Sequence, residues 1–405
     1  MAKSGPDLQD LASRLDQIVT NNEGNVGFEA IEFQRLRPLL EHAFDFLDDV
    51  PETARRRFAN EAAFAAAKSP PITEKSLRSR ASRLRNAYLK MQPEPYTLAT
   101  SLSFQPFAAL SKCSLEGTHF TFTAKLPERY SRQSVEHLFT GRLHDHLPKK
   151  YAVVRVRVKA RSAFEAAPAA LESLDYLRGI WNFRLNRGTV SRTVFGPSRP
   201  INSIVLGPIH TLHHVDGGLA AQSFWYEPSF NTDHKPHRLQ KEWDKVRAEF
   251  ATVRNVVSKS SYATELREGF VRYTRALDPT DHEASFLKLW SLLEFLTGTG
   301  NARYDDTIRR ILFLYGDQSR ERLILDHLRA RRNATVHSSE SSSHMESFAF
   351  QAKGFAETLL LFHLRHSRRF SSLSDAGNWL HLPSDPHALQ SRIDAYKRAL
   401  KFRQN

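Results

Sequence analysis

The sequence contains a single cysteine, Cys113, and has no apolar run long enough to cross a membrane. One cysteine cannot form a disulfide within the chain, which is typical of proteins that fold in a reducing compartment. A membrane-spanning helix needs roughly 20 apolar residues, and the first residues lack the apolar core of a secretory signal peptide. We therefore expect a cytoplasmic protein with no membrane segment.

Glycine-rich nucleotide-binding loops and the Gly-x-Ser-x-Gly nucleophile elbow are also missing. The pair Gly217-Gly218 stands alone and indicates a turn. Without a phosphate-binding loop or a dinucleotide fingerprint, neither ATP-driven work nor nicotinamide or flavin chemistry is supported. We therefore expect no cofactor.

Acidic residues are in the minority. The chain has 58 Lys and Arg against 44 Asp and Glu, with a formal net charge of +14. This excess favours a polyanionic partner such as RNA, DNA or a nucleotide, without saying which. Basic clusters at residues 55–57 and 75–85 could follow a phosphate backbone. No aromatic platform is interleaved with the second cluster, so a solvated helix face is the simpler interpretation.

The spacing of apolar residues divides the 405 residues into three regions. Residues 1–90 show helical periodicity and predict a helical region. Residues 91–235 contain short β-branched and aromatic runs, with one helical segment at 168–183, and predict a mixed α/β domain. Residues 236–405 return to helical periodicity and predict a helical bundle with a helical tail. The predicted fold class is α+β, mostly α.

Arg332 lies on the apolar stripe of a predicted helix, seven residues after Leu325 and four after Leu328. Its side chain should point toward whatever the helix buries. A guanidinium there is costly unless it is paired or binds an anion. His337 follows five residues later, and Asn333 lies one turn before it on a shared edge. Arg332 and His337 could therefore flank one pocket, with Asn333 orienting the imidazole.

An arginine beside a histidine suits phosphodiester chemistry. The arginine can hold a phosphate or stabilise its developing charge. The histidine, which titrates near neutrality, can move a proton to or from a ribose 2′-hydroxyl or a leaving oxygen. An arbitrary Arg-x4-His sequence is far more often a solvated helix end, so the surrounding sequence has to decide.

The motif and its surroundings resemble the HEPN superfamily, and in particular its Apea-like, abortive-infection branch. Residues 332–337 match the Arg-polar-x3-His signature of that superfamily. Residues 286–298 resemble the helix that precedes the motif in this branch, and the spacing between the two segments is similar. The resemblance covers residues 236–405 well and the middle region loosely.

The resemblance implies an up-down helical bundle that forms a homodimer, with the two motifs facing each other across the interface. It implies metal-independent RNA cleavage that leaves 2′,3′-cyclic phosphate ends, with catalytic roles for Arg332 and His337. Asn333 occupies the favoured polar position. It also implies a toxin-like effector in phage defence. The regions before the bundle would then sense a phage-derived trigger or a neighbouring regulatory protein.

Glu294 is a further candidate in the segment that resembles the preceding helix. It follows Trp290 by four residues and so lies at the edge of an apolar face. One interpretation is a supporting carboxylate that balances the charge of Arg332. The other is a surface side chain, and the sequence leaves both open.

Two alternatives to a ribonuclease remain. The same bundle could be a non-catalytic HEPN dimerisation module, or a module that binds RNA or a nucleotide. Histidine groups at residues 144–146, 210–216 and 233–237 could also supply imidazoles to a metal ion. None of these groups has a recognised metal-ligand spacing, and we predict no bound metal.

Overall fold

Helices dominate the structure, as the apolar periodicity of the sequence predicts. The computed structural model is 59% helix and 13% strand, which confirms an α+β fold that is mostly α. It describes residues 6–22, 25–44, 50–132, 148, 150–190, 198–227, 230, 234–300, 304–338 and 344–404. No helix in these ranges combines the length and apolarity that a bilayer crossing needs.

The described part of the N-terminal region contains the helices that we predicted and a hairpin that we did not. The helices are α1 (Leu8–Gln17), α2 (Ala30–His42), α3 (Glu52–Ala67) and α4 (Glu74–Lys90). The antiparallel hairpin pairs β1 (Val19–Asn22) with β2 (Asn25–Phe28). Val19, Val26 and Phe28 pack against the buried helical core. The hairpin is therefore stabilised by tertiary burial, and the sequence of so short a strand does not predict such burial.

The described part of residues 91–235 contains a sheet and a long helix, in agreement with the mixture of strand-like and helical patterns in the sequence. The strands are β3 (Glu94–Leu102), β4 (Lys112–Leu115), β5 (Thr118–Thr123), β6 (Ala152–Ala160), β7 (Ile209–His213) and β8 (Trp225–Tyr226). Their order in the sheet is β4-β5-β6-β3-β7-β8. Helix α5 (Ala163–Asn186) contains the predicted segment 168–183. Along β6, Val154 and Val156 are buried, whereas Arg157 and Lys159 are exposed, as strand alternation requires.

The chain divides into two compact units. One comprises residues 1–98, 157–170 and 212–221, and the other comprises residues 99–156, 171–211 and 222–405. The elements β3, β6, α5 and β7 each contribute residues to both units. The domain boundaries near residues 90 and 235 stay predictions.

The described part of residues 236–405 is helical, as predicted. After a 3₁₀ turn at Leu239–Glu242, the helices are α6 (Trp243–Val257), α7 (Ala263–Leu277), α8 (His282–Thr297), α9 (Tyr304–Leu312), α10 (Ser319–Ser338), α11 (Met345–His366), α12 (Leu373–Leu380) and α13 (Pro386–Gln404). Serine side chains mark the break between α6 and α7. Ser258 donates to the Asn255 carbonyl oxygen, and Ser260 accepts from the backbone N–H of Tyr262. Such side chains compete with the helical hydrogen bonds and favour an end there.

Helix α8 is the centre of this bundle. It packs against α7, α9, α11 and α12. Its buried apolar residues lie on one broad face of the helix and are Phe286, Leu289, Trp290, Leu292, Leu293 and Leu296. Lys288 and Ser291 are exposed on the opposite side, as expected of a helix that buries one broad apolar face against its neighbours. It ends at Gly298, whose φ of +66° is a left-handed conformation that side chains disfavour.

A fully buried histidine, His363, connects α11 to the end of α8 and to Tyr262. Its Nε2 lies 2.9 Å from the Leu296 carbonyl oxygen, and its Nδ1 lies 3.1 Å from the Tyr262 hydroxyl. Because a carbonyl oxygen only accepts, Nε2 carries the hydrogen and Nδ1 accepts from the tyrosine. Burial lowers the pKa of His363 to about 4, so the ring is neutral near pH 7.

We expect His363 to make the stability of the protein fall in mild acid. Its folded-state pKa of about 4 lies below the unfolded value of 6.5, so protonation favours the unfolded chain. The contribution is fully present above pH 6.5 and is lost as the pH falls toward 4. It amounts to at most about 3 kcal/mol.

Urea unfolding of the wild type and of His363→Gln across this pH range measures the effect. The glutamine amide can still donate to Leu296, but it does not titrate. The free energy of unfolding of the variant should therefore vary less with pH. Parallel pH profiles for the two proteins would contradict the assignment.

Candidate active site on helix α10

Helix α10 carries the predicted motif on one continuous run of backbone. It extends over Ser319–Ser338, and Leu325 and Leu328 are buried, as their spacing predicts. Arg332 and Asn333 therefore lie in its last two turns, with His337 further along the same helix. The side chains of residues 336–338 lie outside the described residues.

The Arg332 guanidinium is partly buried and lies over the ring of Tyr304. Its Cζ is 4.7 Å from the ring centroid. Tyr304 is the first residue of α9, which packs against α10. The negative face of an aromatic ring attracts a guanidinium without neutralising it. Tyr304 therefore positions Arg332 and leaves its charge available.

No carboxylate among the described residues forms an ion pair with Arg332. Asp305, the acidic residue next to Tyr304, is paired with Arg329 instead. The polar contact of Arg332 within the described residues is a long hydrogen bond from Nη1 to Asn333 Oδ1, at 3.4 Å. A partly buried cation with neutral partners can bind an anion without breaking an existing ion pair.

Asn333 contacts Arg332 through this bond. We predicted instead that its amide orients the imidazole of His337. The described contacts do not include His337, so that role stays a prediction. The observed contact indicates that Asn333 helps to direct the guanidinium.

Glu294 approaches the arginine only indirectly. Its Oε1 accepts a hydrogen bond from Trp290 Nε1 at 2.9 Å. Trp290 is almost fully buried, and a buried indole N–H needs an acceptor, which the residue one turn later on the same helix supplies. The Trp290 ring meets the Tyr304 ring edge-on, with centroids 6.3 Å apart. A direct Glu294 to Arg332 pair is not among the described contacts, and two aromatic rings connect these residues.

The aromatic rings of Trp290 and Tyr304 are the part of this site that the sequence did not reveal. Trp290 lies in the segment that resembles the preceding helix, but nothing there assigns it a role. Tyr304 and Arg332 lie on different helices, so no local periodicity relates them. The available signal was Tyr304 itself, an aromatic residue at the start of α9, which directly precedes the motif helix α10.

The histidine groups form ordinary hydrogen bonds where the structure describes them. The buried His210 has Nδ1 2.7 Å from Thr100 Oγ1 and Nε2 3.3 Å from Glu227 Oε1. His213 bonds a backbone carbonyl oxygen through Nδ1. Residues 144–146 lie outside the described residues. Among the side chains that are described, no group of three or more His, Cys, Asp or Glu residues could hold a metal ion.

Comparison of the chain with protein-family models gave no match. Comparisons with curated proteins and with solved structures gave none either. The site is therefore interpreted from its own chemistry. It can hold an anion at Arg332, on the same helix as a histidine, a residue type that moves protons near neutral pH.

Proposed function

We propose that the chain is a metal-independent endoribonuclease of HEPN type. The observation that carries the proposal is the setting of Arg332, which is partly buried, supported by Tyr304 and without an ion pair among the described residues. His337 follows on the same helix. The net charge of +14 favours a nucleic-acid substrate, and the resemblance of the motif favours RNA.

In the proposed reaction, His337 removes the proton from a ribose 2′-hydroxyl. The 2′-oxygen attacks the adjacent phosphorus as the bond from phosphorus to the 5′-oxygen breaks. The products are a 2′,3′-cyclic phosphate and a 5′-hydroxyl, whose oxygen takes up a proton. Arg332 holds the scissile phosphate and stabilises the charge that develops on it. Asn333 directs the arginine, and Glu294 supports it through Trp290 and Tyr304.

The enzyme works as a homodimer through the helical bundle, and its role is that of a toxin-like effector in phage defence. It acts in the cytoplasm, where its RNA substrate is found. A phage-derived trigger or a neighbouring regulatory protein releases the activity. The resemblance described above supports these steps, and the single cysteine agrees with the compartment.

Cleavage of an RNA pool in excess EDTA tests the proposal. Purified protein should cut structured or single-stranded RNAs and leave 2′,3′-cyclic phosphate ends. An RNA with a 2′-deoxynucleotide at the cleaved position should resist, because the attacking oxygen is missing. Products with only 3′-hydroxyl ends, or an absolute requirement for a metal ion, would refute the mechanism.

A second candidate is a non-catalytic module that binds RNA or a nucleotide. An arginine with only neutral partners is also what an anion-binding site needs. Turnover separates the two functions. Stable binding of uncut RNA that is weakened by Arg332→Ala would favour the binding module.

We expect Tyr304→Leu to lower cleavage by about tenfold, because the attraction that positions Arg332 is lost. Tyr304→Phe keeps the ring face and should retain most of the activity. Initial cleavage rates of the three proteins on one RNA measure this effect. If the two variants lose activity equally, the hydroxyl rather than the ring face is important.

A further inference from the structure

Helix α13 buries none of its residues, although it is 19 residues long. Apolar side chains nevertheless follow one side of it at Leu389, Ile393, Tyr396 and Leu400, spaced four, three and four residues apart. The last three are 46%, 68% and 61% exposed. This spacing is the seven-residue repeat of helices that pair with another helix.

The apolar stripe of α13 is narrow. It uses two positions in each heptad, which is the width of a coiled-coil seam. A helix that lies in a membrane surface, by contrast, buries a broad apolar face. The side chain of Phe402, the other large apolar residue of this helix that is strongly exposed, projects half a turn away from Ile393. The geometry therefore fits a single partner helix.

The charges beside the stripe indicate the sign of the charge that the partner helix carries. Arg392 and Lys397 occupy the two positions that flank a coiled-coil seam, and Arg398, Lys401 and Arg403 make the rest of the helix basic. Asp394 is the acidic residue of α13, and it accepts a hydrogen bond from Gln390. Within the described residues, none of the five cations forms an ion pair on or off the helix.

We propose that α13 is a docking helix for an acidic amphipathic helix of a partner protein. Acidic residues at the flanking positions of the partner would face Arg392 and Lys397. A second copy of α13 in parallel would instead place Arg392 opposite Lys397, and like charges at these positions disfavour pairing. RNA would neutralise the cations but leave the apolar stripe exposed.

A synthetic peptide tests the docking surface. The probe is a fluorescent helix of about four heptads, with Leu and Ile at the seam and Glu at both flanking positions. Full-length protein should bind it, as measured by fluorescence anisotropy. The double variant Ile393→Glu/Leu400→Glu should bind at least about tenfold more weakly, because it places charge in the seam. The matched control Phe402→Glu adds the same charge to the other side of α13 and should bind like the wild type.

A charge exchange tests the flanking positions. The variant Arg392→Glu/Lys397→Glu should lose the Glu peptide and bind a peptide with Lys at the same positions. Equal binding of both peptides by the wild type would overturn the proposal, as would unchanged binding by the seam variant.

Other occupants have distinct results in the same experiments. A wild type that self-associates in sedimentation, and whose seam variant does not, would show that a second copy covers α13. Binding of phosphatidylserine vesicles through the stripe, or of single-stranded RNA through the cations, without binding of the Glu peptide, would assign the helix to that ligand. Either result would overturn the proposal. All of these binding and sedimentation measurements are independent of RNA cleavage by the α10 site.

Discussion

Replacement of Arg332 by alanine is expected to lower the rate of RNA cleavage by about two to three orders of magnitude, the usual cost of removing one preorganised group that stabilises transition-state charge. Its guanidinium is held against Tyr304 and is not neutralised by a carboxylate among the described residues. The variant should fold normally, because the side chain is only partly buried and loses just its contacts with Tyr304 and Asn333 among the described residues. Cleavage rates and thermal melting of the same preparation measure the two effects separately.

Arg322→Ala is the matched control for this experiment. Arg322 is an exposed arginine on the same helix, so the substitution removes the same charge from α10 at a distance from the motif. It should retain most of the activity. Equal losses in the two variants would indicate general attraction of RNA to a basic helix. Unchanged cleavage by a folded Arg332→Ala protein would remove the residue from the proposed mechanism.

The second variant to compare is His337→Ala, for which we expect the rate of RNA cleavage to fall by about two to four orders of magnitude. If the two residues act on one phosphate, the double variant should be little slower than the worse single variant. Multiplicative losses would indicate that they act in different steps or at different sites.

The second large effect concerns a buried arginine in the same compact unit, Arg178 of α5. It is fully buried and pairs with Asp175 at 2.7 Å and with Asp278 at 2.6 Å. Burial alone would lower the pKa of Arg178, but the charges of Asp278 and Asp175 and their hydrogen bonds raise it above its ordinary value. Asn202 also donates to Asp278, at 2.7 Å. The arginine therefore stays charged and holds both carboxylates.

Arg178→Met is expected to destabilise the protein by about 3–5 kcal/mol, because it leaves Asp175 and Asp278 without their buried partner. Arg275→Ala is the control. Arg275 also pairs with Asp175, but its side chain is 51% exposed, so its loss should cost about 1 kcal/mol or less. Chemical unfolding gives both values. Similar losses for the two variants would show that burial does not strengthen the Arg178 pairs.

Much of the fold was predictable because it depends on local periodicity. The apolar spacing around Leu325 and Leu328 predicted α10, and the valine alternation predicted β6. The hairpin of β1 and β2 was not predictable in this way, since it is stabilised by burial against helices that are distant in sequence. In the hairpin of β4 and β5, β5 belongs to the β-branched and aromatic runs that predicted the mixed domain, whereas the four-residue β4 has a weak signal of its own.

The same distinction between local spacing and tertiary packing applies to the candidate site. The sequence alone determined which residues could carry the chemistry, because residue type and helical spacing place Arg332, Asn333 and His337 on one helix. Only the tertiary structure decided what surrounds them. Packing of α9 against α10 brings Tyr304 over Arg332, and the need of a buried indole for an acceptor turns Glu294 toward Trp290. The contact of Tyr304 with Arg332 joins two helices, and the bond from Trp290 to Glu294 is needed because packing against other helices buries the indole. A local pattern records only the face of a helix that is buried, not the residue that covers it.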